Sequence, residues 1–88
     1  MAERTLEIPN KKGLHARAAA KFVQMAETYS AEIEVIKDDM AVGGTSIMGL
    51  LMLAASANTS ITVRARGVDA QKAVDALSGL VLRGFDEG

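Results

Sequence analysis

Ser60-Ile61-Thr62-Val63-Arg64-Ala65-Arg66 alternates without a break: Ile61, Val63 and Ala65 on one side, Thr62, Arg64 and Arg66 on the other. Period two with one apolar and one polar face predicts a strand buried on one side and wet on the other. Gly67 ends it, and Asp69 is placed to cap a helix. Residues 70–83 carry Ala73, Val74, Leu77, Leu80 and Val81 at helical spacing, and Gly84 suits the stop. A half-wet strand beside a one-sided helix implies a sheet that helices cover on one face only.

The rest of the chain agrees with that fold class. Residues 5–8 alternate and stop at Pro9-Asn10, a short strand followed by the polar loop Lys11-Lys12-Gly13. Ala19, Phe22, Val23 and Ala26 fall at i, i+3, i+4 and i+7, which predicts a helix over 16–28. Residues 32–37 read as a strand with Ile33 and Val35 on one face and Glu32 and Glu34 on the other. Asp38-Asp39 is a turn from which residues 40–42 return as a hairpin partner, and Gly43-Gly44 ends it. Ser46 precedes an apolar run and caps a short helix over 47–53, with Leu50, Leu51 and Leu53 as its core members. Strand, helix, strand, strand, helix, strand, helix is the order of an α+β open-faced β-sandwich with a small antiparallel or mixed sheet.

Composition removes several function classes. At 88 residues the chain is one domain, 1–88. A net charge of -1 and only three aromatics (Phe22, Tyr29, Phe85) argue against nucleic-acid binding. No cysteine and one histidine leave no disulfide, thiolate site or zinc set, so no metal and no cofactor are expected. The longest apolar stretch, 47–55, is too short to span a membrane, and residues 1–5 lack a signal-peptide pattern. The expectation is a cytoplasmic monomer without a membrane or nucleic-acid partner.

The one histidine sits where a helix begins, in Gly13-Leu14-His15-Ala16-Arg17. The first peptide N–H groups of a helix, here those of Ala16 and Arg17, lack intrahelical partners and carry the positive end of the macrodipole. That end favours an anion and disfavours an imidazolium. A neutral ring there is a nucleophile, and Arg17 offers a guanidinium fork to phosphate oxygens, with Lys12 and Lys21 adding positive potential. Gly13 allows a backbone conformation closed to other residues and a close approach by a partner. On spacing alone, a histidine before a helix is more often a cap, an arginine there a solvated residue, and a glycine there a turn.

Gly13-Leu14-His15-Ala16-Arg17, with Ser46-Ile47-Met48-Gly49-Leu50 downstream, resembles the HPr family, the histidine-containing phosphocarriers of the bacterial phosphoenolpyruvate-dependent phosphotransferase system. The resemblance covers essentially the whole chain. It implies a four-stranded antiparallel sheet with three helices on one face. It implies that His15 accepts a phosphoryl group on Nδ1 from the phosphohistidine of enzyme I and passes it to enzyme IIA-type proteins. Arg17 matches the arginine that assists phosphate binding. Ser46 matches the serine that an HPr kinase/phosphorylase modifies in some bacteria. The family usually places proline after the motif arginine; Ala18 stands here, and a first-turn position accepts either. Residues 7–11, 50–53 and the tail Gly84-Phe85-Asp86-Glu87 resemble the nitrogen-related branch, whereas Ser46-Ile47-Met48-Gly49 resembles the kinase-regulated sugar branch.

The short helix holds more apolar residues than one buried stripe can use. Ile47 and Met48 are therefore expected beside the His15 loop as a docking centre with Gly49, rimmed by Arg17 and Lys21 and suited to acidic partners. The plainer reading packs all of them into the core. Two other functions compete: a regulatory binding module that uses the Ile47 and Met48 patch without transfer, and a generic small α+β domain that binds RNA or a ligand. The presence of His15 opposes the first, and charge and aromatic content oppose RNA.

Overall fold

The structure, a computed structural model, describes residues 1–86; Glu87, the last residue of the branch-like tail, and Gly88 lie outside the described residues. Its elements run β1 (Ala2–Glu7), α1 (Ala16–Ala26), β2 (Glu32–Lys37), β3 (Met40–Gly43), α2 (Ile47–Met52), β4 (Ser60–Arg66) and α3 (Ala70–Leu82), ending in a single 3₁₀ turn (Gly84–Asp86). The strands form one sheet in the order β1-β4-β2-β3, with every neighbouring pair antiparallel. The open-faced sandwich is the fold.

Register explains why one face is dry and the other wet. Leu6 pairs with Ile61, and Val63 pairs with Val35, so the apolar members of three strands line up beneath the helices. Ile61, Val63, Val35, Phe22, Leu50 and Leu77 are all essentially inaccessible. On the opposite face the same register stacks Glu3, Arg64 and Glu34 side by side. Arg64 meets Glu3 at 3.0 Å and Glu34 at 3.9 Å, and Thr5 shares a 2.9 Å hydrogen bond with Thr62. These exposed pairs contribute roughly 0–1 kcal/mol each and keep the open face wetted.

Three local readings are corrected. Asp69 makes no side-chain cap for α3; its backbone (φ -98, ψ 20) departs from the extended geometry of a capping residue. It ties the chain to the α1–β2 loop instead, accepting from the Ser30 N–H at 2.8 Å and donating its own N–H to the Ser30 carbonyl at 3.1 Å. Leu51, expected in the core with Leu50 and Leu53, is only half-buried, because a six-residue helix faces the sheet with one side. The first strand starts at Ala2 rather than Thr5. Arg4 hid that start: it shares the face of Val63 yet remains exposed, because β1 is an outer strand of the sheet.

Ser78 is fully buried in α3, and its Oγ has no hydrogen-bond partner among the described residues. A buried hydroxyl without a partner carries an uncompensated desolvation cost. Ser78→Ala therefore stabilises the protein by about 1 kcal/mol, a rise in Tm of about 4–8 °C for a domain of this size. Thermal unfolding by circular dichroism reads it; a fall in Tm would contradict the burial.

Candidate functional site

The loop ahead of α1 is held from both sides. Gly13 takes a left-handed conformation (φ +63) and donates its N–H to the Asn10 carbonyl at 3.1 Å, while the Asn10 amide Nδ2 donates to the Gly13 carbonyl at 2.9 Å. Leu14 is buried, and its N–H donates to the Ala55 carbonyl at 2.8 Å, which joins this loop to the segment after α2. The close approach that Gly13 permits is therefore intramolecular: a Cβ there would stand 2.3 Å from the Ala55 oxygen. The expected partner at that glycine is the chain's own backbone.

With Leu14 anchored, His15 falls on the N-cap of α1 in extended geometry (φ -82, ψ -178), half-buried, its carbonyl accepting the Ala19 N–H at 2.8 Å. Its Nδ1 accepts the Arg17 N–H at 3.3 Å. An N–H aimed at Nδ1 requires the lone pair there, so the neutral ring carries its proton on Nε2. At 3.3 Å the bond is longer than the usual range and is displaced at small cost. The site thus presents a nitrogen lone pair at the positive end of a helix, with backbone donors and the exposed Arg17 side chain beside it.

Arg17 also lines an open cleft of about 750 Å³ together with Lys11, Lys12, Lys21, Arg83 and Asp86. Half of the chain's ten basic residues thus border one cleft beside the helix start. Arg83 left no signal in the sequence: it is 66 positions from Arg17, and only the packing of α3 against α1 brings it near. Lys21, expected at a docking rim, donates its Nζ to the Phe85 carbonyl at 2.9 Å. Phe85 is fully buried at φ 57, a core residue hidden in a stretch that reads as a turn. Among the described residues no group of three histidine, cysteine or acidic side chains could hold a metal, and no helix is long and apolar enough to cross a membrane.

Asp86 closes the C-terminal turn on Arg83, with an Nε–Oδ1 distance of 2.8 Å. That hydrogen bond holds the Asp86 carboxyl below the usual carboxylate range; desolvation opposes it, and the charges of Arg83 and Lys21 add to it. A carboxyl depressed in the folded state contributes at neutral pH and loses the contribution as pH falls through its lowered value. The turn therefore loosens only in acid, with a midpoint below the ~3.9 of an ordinary aspartate. NMR shifts of Phe85 and Asp86 against pH measure it; a midpoint above that value would disprove the pairing.

At the other end of α2 the Ser46 Oγ accepts the Gly49 N–H at 3.0 Å, the expected cap. Gly49 is half-buried, and a Cβ there would lie 3.0 Å from Val42 Cβ, so this glycine serves the packing of α2 on β3. Ile47 and Met48 are exposed, 41% and 71%, which excludes the reading that puts every apolar residue of α2 in the core. They lie at the opposite end of α2 from Ala55, where the chain is tied to the His15 loop.

A family model described as "PTS HPr component phosphorylation site" matches residues 2–82. The phosphocarrier protein HPr of Neisseria meningitidis serogroup A is 47% identical over 88 residues, covering 100% of this chain and 99% of the relative. Other matched relatives bear the names phosphocarrier protein NPr and HPr-like protein Crh. Among solved structures, HPr-C-His from Thermoanaerobacter tengcongensis superposes with a TM-score of 0.95 at 44% identity, over 100% of this chain and 99% of that one. A structure of the HPr dimer from the same organism matches at a TM-score of 0.77 and 45% identity, over 97% and 98% of the two chains. A relative solved as a dimer leaves the expected monomer without support.

Proposed function

The chain belongs to the HPr family of phosphotransferase-system phosphocarriers, and on that basis we propose that His15 carries the phosphoryl group on Nδ1. The observation that supports this reading is the Arg17 N–H held on Nδ1 at the N-cap of α1. In the transfer, Nδ1 attacks the phosphorus of the enzyme I phosphohistidine. The donor's P–N bond breaks, the donor ring leaves with the electron pair and takes up a proton, and His15 gives up its Nε2 proton, so both rings end neutral. The new phosphoryl oxygens take over the Arg17 N–H and reach the Arg17 guanidinium, while the macrodipole favours their charge. Helix-end stabilisation of ~0.3–1 kcal/mol, up to about 2 when partly buried, orients the group without making the phosphoramidate inert. An enzyme IIA-type protein then receives the phosphoryl group, so the chain acts as a stoichiometric cytoplasmic intermediate rather than a catalyst.

Incubation with enzyme I, phosphoenolpyruvate and magnesium tests this by intact mass. The expected product has gained one phosphoryl group that acid treatment removes. No gain would leave the non-transferring binding module as the reading.

Ser46 is proposed as a regulatory phosphosite for an HPr kinase/phosphorylase, and Ile47 and Met48 as the apolar centre of the docking face. Losing the Ser46 cap costs about 1 kcal/mol, whereas a charged group at this helix end is tolerated by the fold. Ser46→Asp therefore keeps the cap but places a charge beside Ile47 and Met48. Its transfer rate from enzyme I falls about tenfold while its Tm stays within ~2 °C of the parent. Ser46→Asn caps without charge and separates the two effects; an equal loss of rate in both variants would disprove the electrostatic account.

A further inference from the structure

We propose that Met48 and Met52 are a modification site: hydroperoxides oxidise this thioether pair to sulfoxides, and the sulfoxides weaken docking on α2. The consequence for docking rests on the phosphocarrier reading; the reactivity rests on sulfur chemistry and exposure.

The chain has no cysteine and no tryptophan, so thioethers are its only sulfur and its most readily oxidised side chains. Met48 and Met52 are 71% and 65% exposed, whereas Met25 packs against the core. The two are i and i+4 on α2, so their sulfurs share one face one turn apart, with exposed Ile47 beside them. Leu50 is the one residue of α2 that is fully buried, and the helix is fixed by the Ser46 cap and by Leu53. Oxygen added to either sulfur therefore changes the chemistry of the face without entering the core. Met1 and Met40 are also exposed, but they lie outside α2.

The step balances without a metal. The sulfur lone pair attacks one oxygen of the hydroperoxide; the S–O bond forms, the O–O bond breaks, and the other oxygen leaves with the proton as water or an alcohol. Sulfur is oxidised by two electrons and the hydroperoxide is reduced by two. A sulfoxide reductase with a dithiol reverses it, giving the thioether, a disulfide and water. A sulfoxide turns a flexible apolar contact into a strong acceptor. Pressed against an apolar partner surface, that acceptor loses water without a replacement.

The experiment treats the whole protein with hydrogen peroxide, maps sulfoxides by peptide mass and measures initial phosphoryl transfer from enzyme I. Met48 and Met52 oxidise ahead of Met25, and transfer falls about tenfold with an unchanged far-ultraviolet spectrum. Methionine sulfoxide reductase with dithiothreitol restores the rate. The double variant Met48→Leu, Met52→Leu, compared with its own untreated sample, shows no peroxide response. Unchanged transfer after full oxidation at 48 and 52, an equal response in the double variant, or oxidation of Met25 as fast as the pair would overturn the proposal. If the untreated protein accepts no phosphoryl group, the carrier reading fails and takes the docking consequence with it, while the mapping still judges the reactivity.

Discussion

His15→Ala is expected to abolish acid-labile phosphorylation by enzyme I and phosphoenolpyruvate while leaving the fold intact. The chain has no second histidine to substitute for it. Its Nδ1 is the lone pair that the helix start presents, and alanine has none. Stability changes little. As a cap the ring accepts the Arg17 N–H at 3.3 Å, a weaker bond than a serine or aspartate cap makes, so losing that bond costs about 0.5 kcal/mol. The core beneath is supplied by residues that do not touch the ring's role, among them Leu14, Ala18, Ala19 and Phe22, all buried. The measurement is intact mass before and after acid, beside thermal unfolding. An acid-labile phosphoryl group on His15→Ala would end the proposed mechanism.

Gly13→Ala is expected to be the costliest single methyl group in the site. Its φ of +63 is a conformation in which a side chain costs about 1–2 kcal/mol. The added Cβ also lies 2.3 Å from the Ala55 oxygen and 2.8 Å from the Ser56 Cα, both backbone. Relief requires the loop to move off the 55–56 segment, which breaks the Leu14 N–H bond to Ala55 and adds roughly 1 kcal/mol. A total of about 3 kcal/mol is a large share of the ~5–15 kcal/mol that holds a small domain. His15 is the next residue after Leu14, so the displaced loop also misplaces the ring, and transfer from enzyme I falls at least about tenfold. Gly43→Ala is the control: a Cβ there meets nothing within 4 Å, so its urea midpoint stays near that of the parent. Equal midpoints for the Gly13 and Gly43 variants would refute the close packing of Gly13 on the 55–56 backbone.

Legibility in the sequence tracked the range of each interaction. The Ser46 cap was readable because donor and acceptor are three residues apart in a pattern that helix starts repeat. His15 at the N-cap was readable for the same reason. Asp69 was misread because its acceptor role is taken by Ser30, 39 positions away, a competitor that no local pattern reveals. Phe85 was missed as core because Gly84-Phe85-Asp86 reads as a stop, while its burial depends on α3 and on the Lys21 bond to its carbonyl. Gly13 was singled out correctly, but what approaches it could not be read, since Ala55 is 42 positions on.

The sequence by itself determined the periodicities, and with them the four strands, the three helices, the dry and wet faces and the two helix caps. These are set by burial repeating every second or every third and fourth residue and by hydrogen bonds within one turn. Tertiary structure alone decided the strand order β1-β4-β2-β3, the backbone that presses on Gly13, and the gathering of Lys11, Arg17, Lys21 and Arg83 around one cleft. Those arrangements depend on which distant segments share a surface, and hydrophobic burial rewards area without specifying neighbours.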